Sequence, residues 1–289
     1  ITITVDDNSD TLTLTSTDAD NNSAPYLRMY RNSASPADAD PLTRIKFDGR
    51  NDNSQDVTYG YIQVFSTDVS DGTEDGTIDH YSIVGGTARN RISISPTETV
   101  FNEDSVDLDF RVESNGDTHR LFIDGGLDRI LIGTTASRAM SGVTSNFFIE
   151  GTSYADSGLG AVINANGAAD CPLMLFGKSR GTSLGSNTIV QNGDRLFTMR
   201  IDGSDGTNLE QAAMMEVHVD AAPGNNEIPG RITFHTTTAG SQYATEKMRI
   251  TNAGRVGIGS DSPRGALDVV VDHAVGYVIT AQNDGNNQN

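Results

Sequence analysis

Apolar residues in this chain alternate with Thr, Arg, Asp and Gln in short runs, and do not recur every third or fourth position. Thr11-Leu-Thr-Leu-Thr15 sets the pattern, and residues 27–30, 44–47, 62–65, 78–83, 91–94, 108–112 and 120–123 continue it. Runs at 197–201, 215–219, 231–234, 248–250 and 256–258 do the same in the second half. A period of two puts alternate side chains on opposite faces, so each run predicts a strand with one wet face. Clusters of Gly, Asn and Asp separate the runs and supply turn conformations, most clearly Asp71-Gly-Thr-Glu-Asp-Gly76 and Asp202-Gly-Ser-Asp-Gly206. Leu, Ala, Glu and Lys never gather into a long window of helical period, so the pattern predicts an all-β chain. Many short strands at this spacing fit sandwich-like sheets, a barrel or an intertwined β-fibre. Residues 208–215 have helix-forming composition; they and 54–61 are read as lead-ins to the strands that follow.

The pattern occurs twice. Asp40-Pro-Leu-Thr-Arg-Ile-Lys-Phe-Asp-Gly49 returns as Asp194-Arg-Leu-Phe-Thr-Met-Arg-Ile-Asp-Gly203, an interval of 194 − 40 = 154 residues. Leu42/Leu196, Asp48/Asp202, Gly76/Gly230, Ile78/Ile232 and Gly86/Gly240 keep that interval. Upstream, Pro25-Tyr-Leu-Arg-Met-Tyr-Arg31 answers Pro172-Leu-Met-Leu-Phe-Gly-Lys178, at 178 − 31 = 147. Downstream, Arg91-Ile-Ser93 answers Arg249-Ile-Thr251, at 249 − 91 = 158. The chain therefore reads as a tandem duplication, with a first β module at 1–142 and a second at 143–289. Duplication favours an extended structural array over a single enzyme pocket. Residues 40–86 and 194–240 are expected to share strand order, with Ile45 matching Met199 and Ile78 matching Ile232, all facing inward.

Composition sharpens this picture. Hydrophobic residues make up 36% of 289 residues, with 30 Gly and no Trp, enough only for thin β layers. Net charge is −19, from 39 acidic against 20 basic residues. That excess repels phosphates, which argues against nucleic acid and anionic membrane surfaces as partners, and it suits a soluble particle surface. No run approaches the roughly 18 apolar residues of a membrane span, and no signal peptide is visible. The chain opens at Ile1 inside an alternating stretch and ends at Asn289 in a polar run, so both ends are expected to be cuts within a longer protein.

Candidate chemistry is sparse. Cys171, the single cysteine, begins a strand-like run and reads as a buried apolar thiol. With no internal disulfide available, assembly in a reducing cytoplasm is expected. Residues 6–10, 18–22 and 71–76 offer several oxygens for calcium, but none matches the 12-residue loop with a closing Glu. Gly254, Gly257 and Gly259 run in the wrong order for a phosphate loop, and no helix pattern follows them. His80, His119, His218, His235 and His273 are scattered, without zinc-like spacing. A carboxylate pair for glycoside cleavage is possible in principle, yet 39 acids select none, and aromatic platforms for sugar rings are few. No catalytic, cofactor-binding or metal-binding residue is assigned, and no cofactor is expected.

The segment Glu246-Lys-Met-Arg-Ile-Thr-Asn-Ala-Gly-Arg-Val-Gly-Ile-Gly-Ser-Asp-Ser-Pro-Arg-Gly-Ala-Leu-Asp-Val269 resembles a signature widespread in bacteriophage tail-fibre and tail-spike proteins. A weaker copy is Leu127-Asp-Arg-Ile-Leu-Ile-Gly-Thr-Thr135, with Leu131 in place of the first Gly. Residues 25–40 and 102–117 look like segments of fibre-like structural proteins of phages, particularly marine ones. The resemblance implies a trimeric virion protein that contacts the host surface. Some members of that class carry a C-terminal self-cleaving chaperone domain with a Ser/Lys pair; nothing after Leu267 supplies it, so no catalytic residue is carried over. Gly257 and Gly259 lack side chains at alternate positions, which permits either close approach of backbones at a trimer axis or an ordinary β-bulge.

These observations predict tandem β-rich modules in a parallel homotrimer, forming a structural segment of a phage tail fibre without enzymatic activity. It would project from the virion, contact other tail or baseplate proteins, and support adhesion to a host-surface glycan or protein. A polysaccharide-degrading tail spike and a capsid decoration or virion filament without host contact are the alternatives.

Overall fold

The computed structural model describes residues 2–22 and 24–270; His273 and the polar C-terminal run lie outside the described residues. The elements are all strands. The chain divides into two compact units, Ile1–Arg111 with Ile123–Asp128, and Val112–Phe122 with Arg129–Asn289.

In the first unit, β1 (Asp40–Arg50), β2 (Asp56–Asp68), β3 (Asp75–Val84), β4 (Thr87–Ile94) and β5 (Thr99–Phe101) form an antiparallel meander in chain order. Four short strands follow, β6 (Phe110–Val112), β7 (Leu121–Asp124), β8 (Arg129–Ile132) and β9 (Phe147–Ile149); β8 and β9 pair in parallel. In the second unit, β10 (Arg195–Ser204), β11 (Leu209–Val219), β12 (Gly230–Thr237), β13 (Ala244–Ile250) and β14 (Val256–Ile258) repeat the meander, and β15 (Leu267–Val269) adds a parallel neighbour to β14.

The two meanders have the same register over their shared ladders, and three of their irregularities coincide. Ile45 pairs with Ile62 as Met199 pairs with Met215, and Val64 with Ile78 as Val217 with Ile232. The β1/β2 ladder slips between Pro41 and Thr43 and again between Phe47 and Asp48. The β10/β11 ladder slips at the corresponding places, between Arg195 and Phe197 and between Ile201 and Asp202. β3 and β12 share a third slip, after His80 and after Phe234. Bulges bend and twist a strand locally, so matching bulges give the sheets matching curvature. Beyond that point the sequence alignment needs correction. His80 faces Ile92 where Phe234 faces Met248, so Arg249 corresponds to Ser93 and not to Arg91. The longer turn between β12 and β13 accounts for the difference.

Some sequence expectations give way for lack of a covering layer, and one gives way to strand pairing. Residues 11–15 and 27–30 form no strand. Residues 209–215 lie within β11 itself, despite their helix-forming Ala and Met, because pairing with β10, and with β12 from Ala213 onward, overrides weak propensity. Ile45, Met199 and Ile78 do not face a core within the chain: they are 38%, 47% and 40% exposed.

Candidate functional site

Each meander buries the wrong face for an isolated domain. One face of the first sheet carries Ile45, Phe47, Ile62, Val64, Ile78 and Ile94; of these Ile45, Phe47, Ile78 and Ile94 are exposed, and in the second sheet Met199, Ile201, Phe234 and Ile258 are exposed at the places of Ile45, Phe47, His80 and Phe101. The opposite face is polar and covered. Gln63, Asp79, Asn90 and Ser93 are buried in the first sheet, and Glu216 and Thr233 in the second. Gln63 corresponds to Glu216 and Asp79 to Thr233, so the inversion is the same in both.

Long polar side chains lying flat explain the covered face. In the first sheet Arg44 lies over the Tyr61 ring, 4.3 Å from its centroid, and donates to Gln63. Tyr61 and Tyr81 stack at 4.3 Å. Tyr81 donates to Asp79 at 3.3 Å, and burial together with the Asp79 charge pushes its phenol up to about 12. In the second sheet Glu216 collects the charges. Its carboxylate lies 2.8 Å from Arg195 Nε, 2.9 Å from His218 Nε2 and 3.6 Å from His235 Nε2. His235 in turn lies 2.9 Å from the Thr233 hydroxyl. Beside this cluster, residues 140–145 roof a cavity of about 360 Å³ whose lining includes Arg195, Arg200, Asp202 and Glu216. Ser141 donates to Asp202 at 3.0 Å, and Arg200 donates to the Met140 carbonyl. Both carboxylates at this cavity are thus engaged by this chain's own donors. Glu216 was not singled out from the sequence; its two-residue spacing from His218 on one strand is the local signal for that pair, whereas His235 joins them only through the β11/β12 register.

Two unpaired arms complete the apolar surface. Residues 24–33 and 171–178 form no strand or helix and, among the described residues, make no backbone pairing. Their large side chains are bare: Leu27 is 67% exposed and Leu175 82%. Each arm is anchored at its end to the start of the next sheet by the same contacts. Arg31 lies 3.1 Å from Asp40, and Lys178 lies 3.7 Å from Asp194. The Thr43 hydroxyl lies 3.2 Å from Met29 Sδ, and Phe176 packs on Phe197. The Asp40 and Asp194 carboxylates also accept the backbone N–H of Ala37 and Gln191. Cys171 stands at the head of the second arm and is exposed, contrary to the buried thiol expected, because its run has no partner strand here.

The signature glycines act within the chain. A Cβ on Gly259 would stand 2.2 Å from the Val270 carbonyl oxygen, and one on Gly257 would stand 2.3 Å from that of Ser260. Gly133 in the weaker copy repeats this, 2.4 Å from the Glu150 carbonyl oxygen. Both Gly133 and Gly259 have positive φ, and each precedes a return to a parallel strand. The close approach is therefore made to the chain's own backbone. The acidic turns at 6–10, 18–22 and 71–76 spend oxygens locally: Asp7 accepts from Ser9, Asp20 from Asn22 and Glu74 from Gly72. Among the described residues, no three His, Cys, Asp or Glu are grouped to hold a metal.

No family model matches the chain, and no curated protein matches it. Two solved structures align with it loosely, both of the carboxy-terminal domain of the bacteriophage T5 L-shaped tail fibre. One includes the intramolecular chaperone domain; it is 9% identical, covering 93% of this chain and 68% of that one, with a TM-score of 0.38. The other is 12% identical, covering 94% and 98%, with the same TM-score of 0.38. A likeness at that score does not define a shared fold.

Proposed function

We propose that the chain is a structural segment of a bacteriophage tail fibre, working as a parallel homotrimer that projects from the virion and supports host recognition. One observation carries the reading: both meanders bury polar residues on one face and leave large apolar side chains bare on the other, at Ile45, Phe47 and Phe101 in the first and at the equivalent Met199, Ile201 and Ile258 in the second. Burying such a face stabilises by about 25 cal/mol per Å² of apolar surface, and further copies of the same chain would supply the covering layer for each module. The resemblance of residues 246–269 to tail-fibre proteins supports the same assignment. We place the division between the duplicated modules near residue 142.

The segment has no enzymatic activity in this reading. It is a virion component assembled in the host cytoplasm, attached to other tail or baseplate proteins. Host contact is made through the loops, since binding residues concentrate on loops held by rigid strands. At −19, the surface suits a neutral or cationic host glycan or a protein better than an anionic polymer. Light scattering of the folded chain tests the assembly: a mass of three chains is expected, and a monomer overturns it. The cavity at Asp202 and Glu216 is the one feature that favours a polysaccharide-degrading spike. Incubating the trimer with host cells separates the readings: adhesion without new reducing sugar ends supports the fibre, and sugar release overturns it in favour of the spike.

A further inference from the structure

We propose that residues 24–30 and 171–177 are exchange arms, each laid along the open apolar face of the corresponding sheet in a neighbouring copy. This role rests on the homotrimer reading and deepens it.

The anchors set the direction. Arg31 and Lys178 tie the C-terminal end of each arm to the Asp that opens β1 or β10. Those two strands are the outer strands of their meanders. Met29 and Phe176 touch the first apolar row at that edge, and the chain before them leaves the sheet there. It does not fold back: Tyr26 and Leu27 are 77% and 67% exposed, and Leu173 and Met174 are 70% and 76% exposed. An arm departing from an edge in this way meets a face that belongs to another copy.

The arm's chemistry matches that face. Leu27 and Met174, two residues before Met29 and Phe176, are large, apolar and exposed. Two residues further from each anchor stands a proline, Pro25 or Pro172, which has no N–H to donate to a ladder. Pairing along the outer edge of β1 is disfavoured, since that strand carries Arg44, Lys46, Asp48 and Arg50, and charged edges resist strand addition. The apolar face offers bare Ile78, Ile94 and Phe101 in the first sheet, and Phe234 and Ile258 in the second, on strands beyond the first. The two arms differ in most side chains yet keep the same anchors, which ties the arrangement to geometry rather than to one sequence.

The test uses the full chain with Cys171→Ser, so that added cysteines are the only thiols. One batch carries Met174→Cys, and a second, with a size tag, carries Ile258→Cys. The two are folded together and treated with a short bismaleimide. Exchange is expected to give, on a denaturing gel, a shift from one chain's 30.7 kDa to about twice that, with one chain of each kind in the product. Leu27→Cys mixed with Phe101→Cys makes the same test in the first module, should the first pair hinder folding. Crosslinking only when both cysteines share a chain, or none in either module, overturns the proposal. A trimer by light scattering in the same sample keeps the homotrimer reading standing while the exchange falls; a monomer removes both.

Discussion

Phe176 packs its ring 4.5 Å from that of Phe197, in the position where Met29 meets Thr43 in the first half of the chain. A ring pair contributes about 1 kcal/mol beyond its buried area. The second arm is therefore held more firmly than the first. We expect Phe197→Ala to loosen residues 171–178 while the meander stays folded, and Thr43→Phe to tighten residues 24–31. Limited proteolysis followed by mass spectrometry of the cleavage sites measures both effects.

Ala39 and Gly193 fill the same left-handed position before the first strand, with φ of 62° and 88°. Their N–H groups donate to the carbonyls of Ser66 and Val219, at 2.7 and 2.9 Å. A Cβ at positive φ costs about 1 kcal/mol. Ala39→Gly is expected to raise stability by up to that amount, and Gly193→Ala to lower it by as much. Nothing stands within 4 Å of a Cβ at Gly193, so backbone strain alone is being measured. Chemical denaturation of both variants checks the pair; equal effects of one sign would contradict it.

Gly259 is doubly constrained, by φ of 65° and by the Val270 carbonyl. Gly259→Ala should cost about 2 kcal/mol or more, through strain and overpacking together. Gly133→Ala should behave alike, whereas Gly254→Ala, at positive φ but in open space, should cost only the strain. A thermal shift series over the three separates close approach from conformation.

Asp194 is held well below the usual carboxylate range, first by the Arg180 guanidinium, 2.7 Å away through two hydrogen bonds, and then by the Gln191 N–H. Asp40 is lowered as well, first by the Ala37 N–H and then by Arg31. A depressed folded pKa stabilises above the unfolded value of about 3.9, and that contribution is lost as pH falls through the folded value. Asp194→Asn should thus melt below the parent chain at pH 7. The gap should hold down to about pH 4 and narrow below it. A gap that widens on acidification would contradict the assignment.

Glu216 is the buried centre of the second polar layer, with a side chain 4% exposed. Glu216→Ala returns Arg195, whose side chain is 58% exposed, to water but leaves the buried His218 without its partner, a loss of about 1–3 kcal/mol. Gln63 holds the equivalent place in the first sheet without a charge, so Glu216→Gln combined with Arg195→Ala should recover much of the loss. Denaturant midpoints of the single and double variants test this.

Much of this fold was legible because period-two runs and turn clusters need no long-range information. The runs at 44–47, 62–65, 78–83, 197–201 and 231–234 fall inside strands, and the correspondence of Ile45 to Met199 followed from the repeat. What the sequence withheld was which face is covered. Alternation says that one row is apolar, not that a partner is present, so residues 27–30 and Cys171 read as strand and core when they are bare chain. The Glu216 cluster was hidden for another reason. His235 reaches it through the β11/β12 register, and no local spacing encodes that.

The sealed polar layer and the open apolar face also bear on timing. If the chain works as the homotrimer proposed above, a newly made copy would carry exposed apolar side chains on both sheets until it met its partners. Assembly is then a race between correct encounter and indiscriminate sticking, and its yield depends on how many sister chains are nearby when each one folds. Chains drawn from one crowded polysome would win that race, whereas the same chains diluted singly into buffer would lose it.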